Sequence, residues 1–185
     1  MGSCHPNNNR VPVSVLEANL TYDPRTGELR WKDRPWLRGS INARTRFKRA
    51  GTRSDGYIRL TLTYQGKEIR MLGHRIAWAL HYGYWPEEEV DHEDRDGFNN
   101  ALDNLRLASS TDNKVNRVQE VGMSGYRGVY YDRRRGTIFG RVTRAGQTIY
   151  LGNFPDEASA ARAYDAAALK FQGEYALTNS ALGLL

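Results

Sequence analysis

The sequence predicts an α+β protein in two parts: a hairpin-and-helix region, then a small three-stranded antiparallel sheet packed on one helix. Two observations carry this prediction. In the first half, β-rich runs are joined by short turns and followed by one helically spaced run. Beyond residue 125 the pattern changes to three short strands and an Ala-rich helix.

Taken in order, residues 1–12 are polar, with Asn7, Asn8 and Asn9, and are expected to form a mobile arm. Leu20 to Trp31 reads as strand, turn, strand, with Pro24 and Gly27 at turn positions. Residues 34–53 are basic with weak periodicity and are expected to be a loop. Tyr57–Thr63 and Lys67–Leu72 form a hairpin around Gln65 and Gly66. His74 to His81 has helical spacing, with Ile76, Ala77, Trp78 and Leu80 able to bury and Gly83 as the stop. An acidic loop, a short strand over 105–108 and a helix opening at Ser110, Thr111 and Asp112 follow. In the last third, strands are expected at 129–131, 137–143 and 148–151. A helix starts at Pro155-Asp156, runs to about Phe171 and closes at Gly173, with Ala160, Tyr164, Ala168 and Phe171 on one stripe.

Composition excludes several classes. No apolar run approaches the roughly 20 residues that span a bilayer, and the start of the chain lacks the apolar stretch of a signal peptide. The single cysteine, Cys4, rules out a disulfide framework within the chain and argues against a cysteine zinc site, so a cytoplasmic setting is expected. The net charge of +6 favours a polyanionic partner. Its distribution says more. Arg25 to Arg53 holds ten Lys/Arg against two Asp/Glu; Tyr126 to Arg144 holds six Arg against one Asp. Between them, Glu87 to Asp103 holds eight Asp/Glu against one Arg. Basic blocks suit phosphates, and an acidic block between them suits a divalent cation.

The chemistry concentrates in the acidic block. Asp91 offers a hard oxygen for Mg²⁺, and His92 an imidazole able to take a proton near neutral pH. Phosphodiester hydrolysis needs a deprotonated water on one side of phosphorus and charge neutralisation on the other. Adjacent strand residues point in opposite directions, so the pair can serve both sides. An amide such as Asn104 can hold the imidazole in its useful tautomer, and Asn113 can supply a second oxygen to the metal. The run His92, Asp94, Asp96, Gly97 and Asp103 approximates a calcium loop. It is rejected because His stands where Asp is required and Glu87 to Glu89 carry no apolar stripe.

The succession His74-Arg75, Trp78, Asp91-His92, Asp96-Gly97, Asn99-Asn100, Asn104-Leu105-Arg106 and Asn113 resembles the HNH endonucleases of phage and intron-encoded homing type, over about Tyr57 to Arg117. The resemblance implies a ββα-metal nuclease core, Asp91 and Asn113 as ligands to Mg²⁺ (or Mn²⁺), His92 as general base and Asn104 as its orienting residue. His74 matches a recurrent histidine without an assigned role. Ser124 to Tyr130, Ile149 to Phe154 and Ala158 to Gly173 resemble the plant ethylene-response-factor (Apetala-type) DNA-binding domain. That resemblance implies a sheet lying in the major groove. Strand alternation puts Arg127, Arg133, Arg141, Thr143, Thr148 and Tyr150 on the face away from the helix. Arg133, Arg134 and Arg135 replace the family's first-turn aromatic.

The expected organisation is an arm over 1–12, a hairpin and basic DNA-contacting segment over 13–56, an HNH nuclease domain over 57–117, a linker over 118–124, the DNA-binding domain over 125–179 and a tail over 180–185. The expected partner is double-stranded DNA, with no membrane and no obligate protein partner, for a monomer or homodimer in a phage or bacterial host cell. The rivals are a non-catalytic DNA-binding regulator that keeps the scaffold, and an RNA-binding protein.

Overall fold

The computed structural model describes residues 11–109, 121–144 and 146–185. The chain divides into two compact units, Met1–Ser109 and Ser110–Leu185. The helix expected from Ser110, the site residue Asn113 and residues 118–120 of the expected linker lie outside the described residues.

The first unit includes α1 (Val13–Asn19), a seven-residue helix within the segment expected to hold the hairpin. The hairpin of β1 (Leu20–Asp23) and β2 (Glu28–Trp31) follows as expected. Residues 34–53, expected as a loop, hold α2 (Gly39–Thr45) and the edge strand β3 (Thr52–Ser54) instead. Side chains rather than helix propensity organise this segment. Arg34 N donates to Asn42 Oδ1 (2.9 Å), Asn42 Nδ2 to Asp33 Oδ1 (2.6 Å) and Arg34 Nη2 to Thr45 Oγ1 (2.6 Å). The Arg34 guanidinium lies 4.0 Å from the Trp31 ring centre, which lets an arginine be buried.

β4 (Tyr57–Tyr64) pairs with β3 and with β5 (Lys67–Leu72) in a three-stranded sheet. The β4–β5 turn has φ of 50° at Gln65 and 74° at Gly66, the two positive values that a two-residue hairpin turn needs. α3 (Gly73–Tyr82) ends on Gly83 at φ 80°, and β6 (Glu89–His92) pairs antiparallel with β7 (Leu105–Ala108). The core joins α1, the β1–β2 hairpin, the sheet and α3 through Leu16, Leu20, Leu29, Leu60 and Ile76, all nearly solvent-free. Each such side chain contributes about 1.5–3 kcal/mol by leaving water.

In the second unit β8 (Val129–Asp132), β9 (Thr137–Arg144) and β10 (Gln147–Phe154) form an antiparallel sheet in the order β10-β9-β8. α4 (Glu157–Gln172) packs on one face, capped by Asp156, whose carboxylate accepts from Ser159 N at 2.7 Å. Ala160, Tyr164 and Ala168 are buried as the stripe requires. Val129, Val142, Ile149 and Leu151 meet that helical face.

Candidate functional site

β6 ends in Asp91 and His92, and both side chains are buried. Asp91 is opposite Arg106 across the β6–β7 ladder, and His92 opposite Leu105. The Arg106 Nε and Nη2 donate to Asp91 Oδ2 at 3.3 and 3.1 Å. A guanidinium beside the carboxylate offsets part of the cost of burying it.

The amide that meets His92 is that of Asn100. His92 Nε2 donates to Asn100 Oδ1 at 3.0 Å, because an amide oxygen can only accept. The neutral imidazole therefore carries its proton on Nε2 and its lone pair on Nδ1. Asn104, expected at the histidine, bonds elsewhere. Its Oδ1 accepts from Asp94 N (3.0 Å), and its Nδ2 donates to Asp94 Oδ1 (2.9 Å) and Asn99 O (2.8 Å). The reason is the path of the chain. Residues 93–99 fold into a tight acidic turn that Asn104 ties from inside, and that turn delivers Asn100 to the imidazole. Burial alone would raise the Asp94 carboxyl, but hydrogen bonds from Asn99, Asp96 and Asn104 together outweigh it and hold it below the usual range.

Asn100 is held from the other side by the β1–β2 hairpin. Tyr22 donates its hydroxyl to Asn100 O at 2.8 Å, and Leu102 N donates to Pro24 O at 2.8 Å. Gly27, at φ 70°, sits so close that a Cβ would fall 2.3 Å from the Asn100 carbonyl carbon. A side chain at 27 would displace the segment that carries the histidine's partner.

His74, on the first turn of α3, stands edge-on to His92 with ring centres 4.9 Å apart, and 5.5 Å from Tyr57. Its Nδ1 is buried with no hydrogen-bond partner among the described residues. Burial first, then the neighbouring His92 and Arg75, lowers its pKa to about 3. In the unfolded chain the same group takes up a proton near pH 6.5. Between pH 6.5 and 3 the unfolded state binds the extra proton. Stability therefore falls as the pH drops through that window, by up to about 1.4 kcal/mol per pH unit, and His74 adds no pH dependence above it. Thermal melts of wild type and His74→Phe from pH 7.5 to 4.5 should diverge, with wild type losing Tm faster below 6.5. Parallel curves would show that His74 does not titrate on unfolding as described.

As a donor set, the described part of the site offers the buried Asp91 carboxylate and no sulfur ligand, and no group of three His, Cys, Asp or Glu that could hold a metal is present among the described residues. An anionic oxygen donor of this kind suits a hard divalent cation.

In the second unit, Tyr130, Phe139, Arg141, Thr143, Thr148 and Tyr150 lie on the sheet face opposite α4, with Arg141 paired to Tyr150 and Thr143 to Thr148. The Arg141 guanidinium is 3.9 Å from the Tyr130 ring centre, and Tyr130, Phe139 and Tyr150 form a row with ring centres 5.6 and 5.8 Å apart. Phe139 and Tyr130 were missed in the sequence, although alternation two residues before Arg141 points to Phe139. Arg127 departs from the expected face. Its Nε donates to the Tyr164 hydroxyl (2.9 Å) and so turns to the helix, because Gly128 at φ 75° reverses the chain beside the Tyr164 ring. Arg133 is exposed in the β8–β9 turn, its Nη2 2.9 Å from Met123 Sδ.

Residues 72–115 match the HNH endonuclease family. The H-N-H endonuclease F-TflI of Escherichia phage T5 is 36% identical over 77 residues, 40% of each chain. The AP2-like ethylene-responsive transcription factor TOE2 of Arabidopsis thaliana is 45% identical over 70 residues, 38% of this chain and 14% of that protein. Rice APETALA2-like protein 2 is 43% identical over 60 residues, 32% of this chain and 14% of that protein. The chain thus spans well under half the length of these relatives. A solved structure titled for DNA binding and cleavage by the HNH homing endonuclease I-HmuI aligns at a TM-score of 0.42 and 20% identity, covering 88% of this chain and 90% of that one. The chain therefore carries a segment that matches the HNH endonuclease family and a segment similar to the AP2-type transcription factors.

Proposed function

We propose that the chain is a metal-dependent DNA endonuclease of HNH homing type, acting on double-stranded DNA in a phage or bacterial host cell, with the second unit's sheet reading the major groove. The single observation that carries the reading is the buried Asp91-His92 pair on one strand, with Asn100 fixing the tautomer of the histidine. His92 presents its Nδ1 lone pair to a water and takes the proton as that water attacks phosphorus. Asp91, with Asn113, would hold Mg²⁺ or Mn²⁺, which supplies neutralisation of the leaving oxygen. Asn104 acts at one remove, holding the turn that carries Asn100. On the second unit, Arg141, steadied against Tyr130, is placed to read a guanine edge, with Thr143, Thr148 and Tyr150 beside it and Arg133 on phosphate.

The Asp91–Arg106 ion pair favours the rival reading, a DNA-binding regulator in which the carboxylate is kept for structure. Incubation of the chain with supercoiled plasmid, with Mg²⁺ and with EDTA, separates the two. The nuclease converts plasmid to open circles as a monomer, or to linear product as a homodimer. EDTA should abolish cutting while gel-shift binding persists, because few protein ligands leave the ion easily removed. Intact plasmid in Mg²⁺ would establish the regulator.

A further inference from the structure

Phe47 is a residue that neither its backbone nor the core requires. It follows α2 at φ 60°, a left-handed conformation that a bulky side chain rarely adopts, and the residue is 62% exposed. The conformation is enforced from both sides. Phe47 N donates to Trp31 O at 2.7 Å, and Phe47 O accepts from Arg30 Nη1 at 3.0 Å. A glycine or asparagine would sit there without strain. The backbone is thus pinned while an apolar ring is held out in water, and strain kept in this way is a mark of function.

The surroundings state what the ring would meet. Residues 34–53 hold seven Lys/Arg and no Asp/Glu. Arg46 and Lys48, immediately either side of Phe47, are exposed, as are Arg38 and Arg44. Such a segment fits a polyanion. A lipid surface calls for a continuous apolar face, whereas the exposed large apolar side chains of this segment besides Phe47, Trp36 and Ile41, are interspersed with the exposed Arg38, Arg44, Arg46 and Lys48. A single-strand platform calls for several rings on which successive bases stack, whereas among the described residues no aromatic ring stacks on Phe47, and the Arg46 guanidinium lies 6.0 Å away.

We propose that Phe47 is a wedge that enters a DNA duplex between stacked base pairs, with Arg46 and Lys48 on the flanking phosphates, in the manner of apolar side chains that unstack and kink DNA from the minor groove. The wedge gives the first unit a grip on duplex shape and flexibility, separate from base reading by the second unit. It rests on the DNA-binding part of the function proposed above and not on cleavage.

The test is plasmid unwinding by the full chain carrying His92→Ala, in metal-free buffer with EDTA. Relaxed plasmid is treated with a topoisomerase that needs no metal, and the linking number is read on a gel. The parent chain should lower the linking number in proportion to bound protein. Adding Phe47→Gly should reduce the change per bound protein several-fold, whereas Phe47→Leu should keep most of it. Because glycine accepts φ 60°, Phe47→Gly should melt no lower than the parent, so a loss of unwinding cannot be ascribed to misfolding. Equal unwinding by parent and Phe47→Gly overturns the wedge, as does plasmid bound with unchanged linking number. Failure to shift plasmid at all overturns the DNA-binding reading above, and the wedge with it. Phe47-dependent pelleting with phosphatidylserine vesicles, without unwinding, assigns the ring to lipid and also overturns the proposal.

Discussion

Replacing His92 by alanine should reduce plasmid cleavage by a factor of roughly 10²–10⁴, the usual contribution of a positioned general base, while DNA binding changes little. Asn100→Ala should follow at a smaller loss, about 10–100-fold, the range typical of a residue that orients a reacting group through its second nitrogen. The side chain of Asn100 is the acceptor at His92 Nε2, so its removal frees the ring to adopt the tautomer with the proton on Nδ1, which cannot take another there. Asn104→Ala acts through the turn and should lower activity and thermal stability together, since it releases three hydrogen bonds within residues 94–104. Initial rates of plasmid nicking, paired with thermal melts, distinguish these effects. Near-normal turnover in His92→Ala would remove the histidine from its role. An Asn104→Ala rate below that of Asn100→Ala, with unchanged melting, would restore Asn104 as the direct partner.

The second large effect concerns stability. Asn179→Ala should cost on the order of 3 kcal/mol, because it strips partners from several buried polar groups at once, each worth about 1–3 kcal/mol when left unpaired. Asn179 has no exposed surface. Its Oδ1 accepts from Arg127 N at 2.6 Å, and its Nδ2 donates to Arg127 O at 3.1 Å and to Asp165 Oδ1 at 2.9 Å. Asp165, itself buried on α4, further accepts from the Asn179 and Ser180 backbones at 2.7 and 2.9 Å. One amide thus joins the chain before β8, the helix and the C-terminal turn. In a unit of this size 1 kcal/mol corresponds to roughly 4–8 °C, so the unit should melt about 12–24 °C lower. Hydrogen exchange on the full chain reads it directly: amides of β9 should lose protection in Asn179→Ala while those of β4 keep theirs. Unchanged β9 protection would show that the network is dispensable.

Local rules accounted for much of the fold. The β4–β5 hairpin followed from two β-rich runs around Gln65 and Gly66, α3 from apolar spacing closed by Gly83, and α4 from an Asp N-cap and an alanine stripe closed by Gly173. Each of these elements is stabilised mainly by residues near it in sequence, so its signal is carried in a window of ten to sixteen residues. α1 and α2 were not legible for the opposite reason. Each is seven residues long, below the length at which a helix holds by propensity, and each is held by side chains outside its own span: α1 through Leu16 in the core with Leu60 and Ile76, and α2 through the hydrogen bonds of Asn42 to Asp33 and Arg34.

The pairing of Asp91 with His92 on one strand, the basic blocks and the exposed Arg141 face were determined by the sequence alone, because residue type, charge and two-residue alternation survive without knowledge of the fold. Which amide meets the imidazole was decided only in three dimensions. Asn99, Asn100 and Asn104 are chemically equivalent in the sequence. The turn tied by Asn104, together with Tyr22 and Gly27 reaching across from a hairpin more than seventy residues away, brings Asn100 to His92. The same holds for Arg127, drawn toward the helix by Tyr164, and for Phe47, whose strained backbone depends on Arg30 and Trp31. Hydrogen bonds and close contacts between remote segments leave no periodic trace in a sequence, and they set the direction in which each of these side chains points.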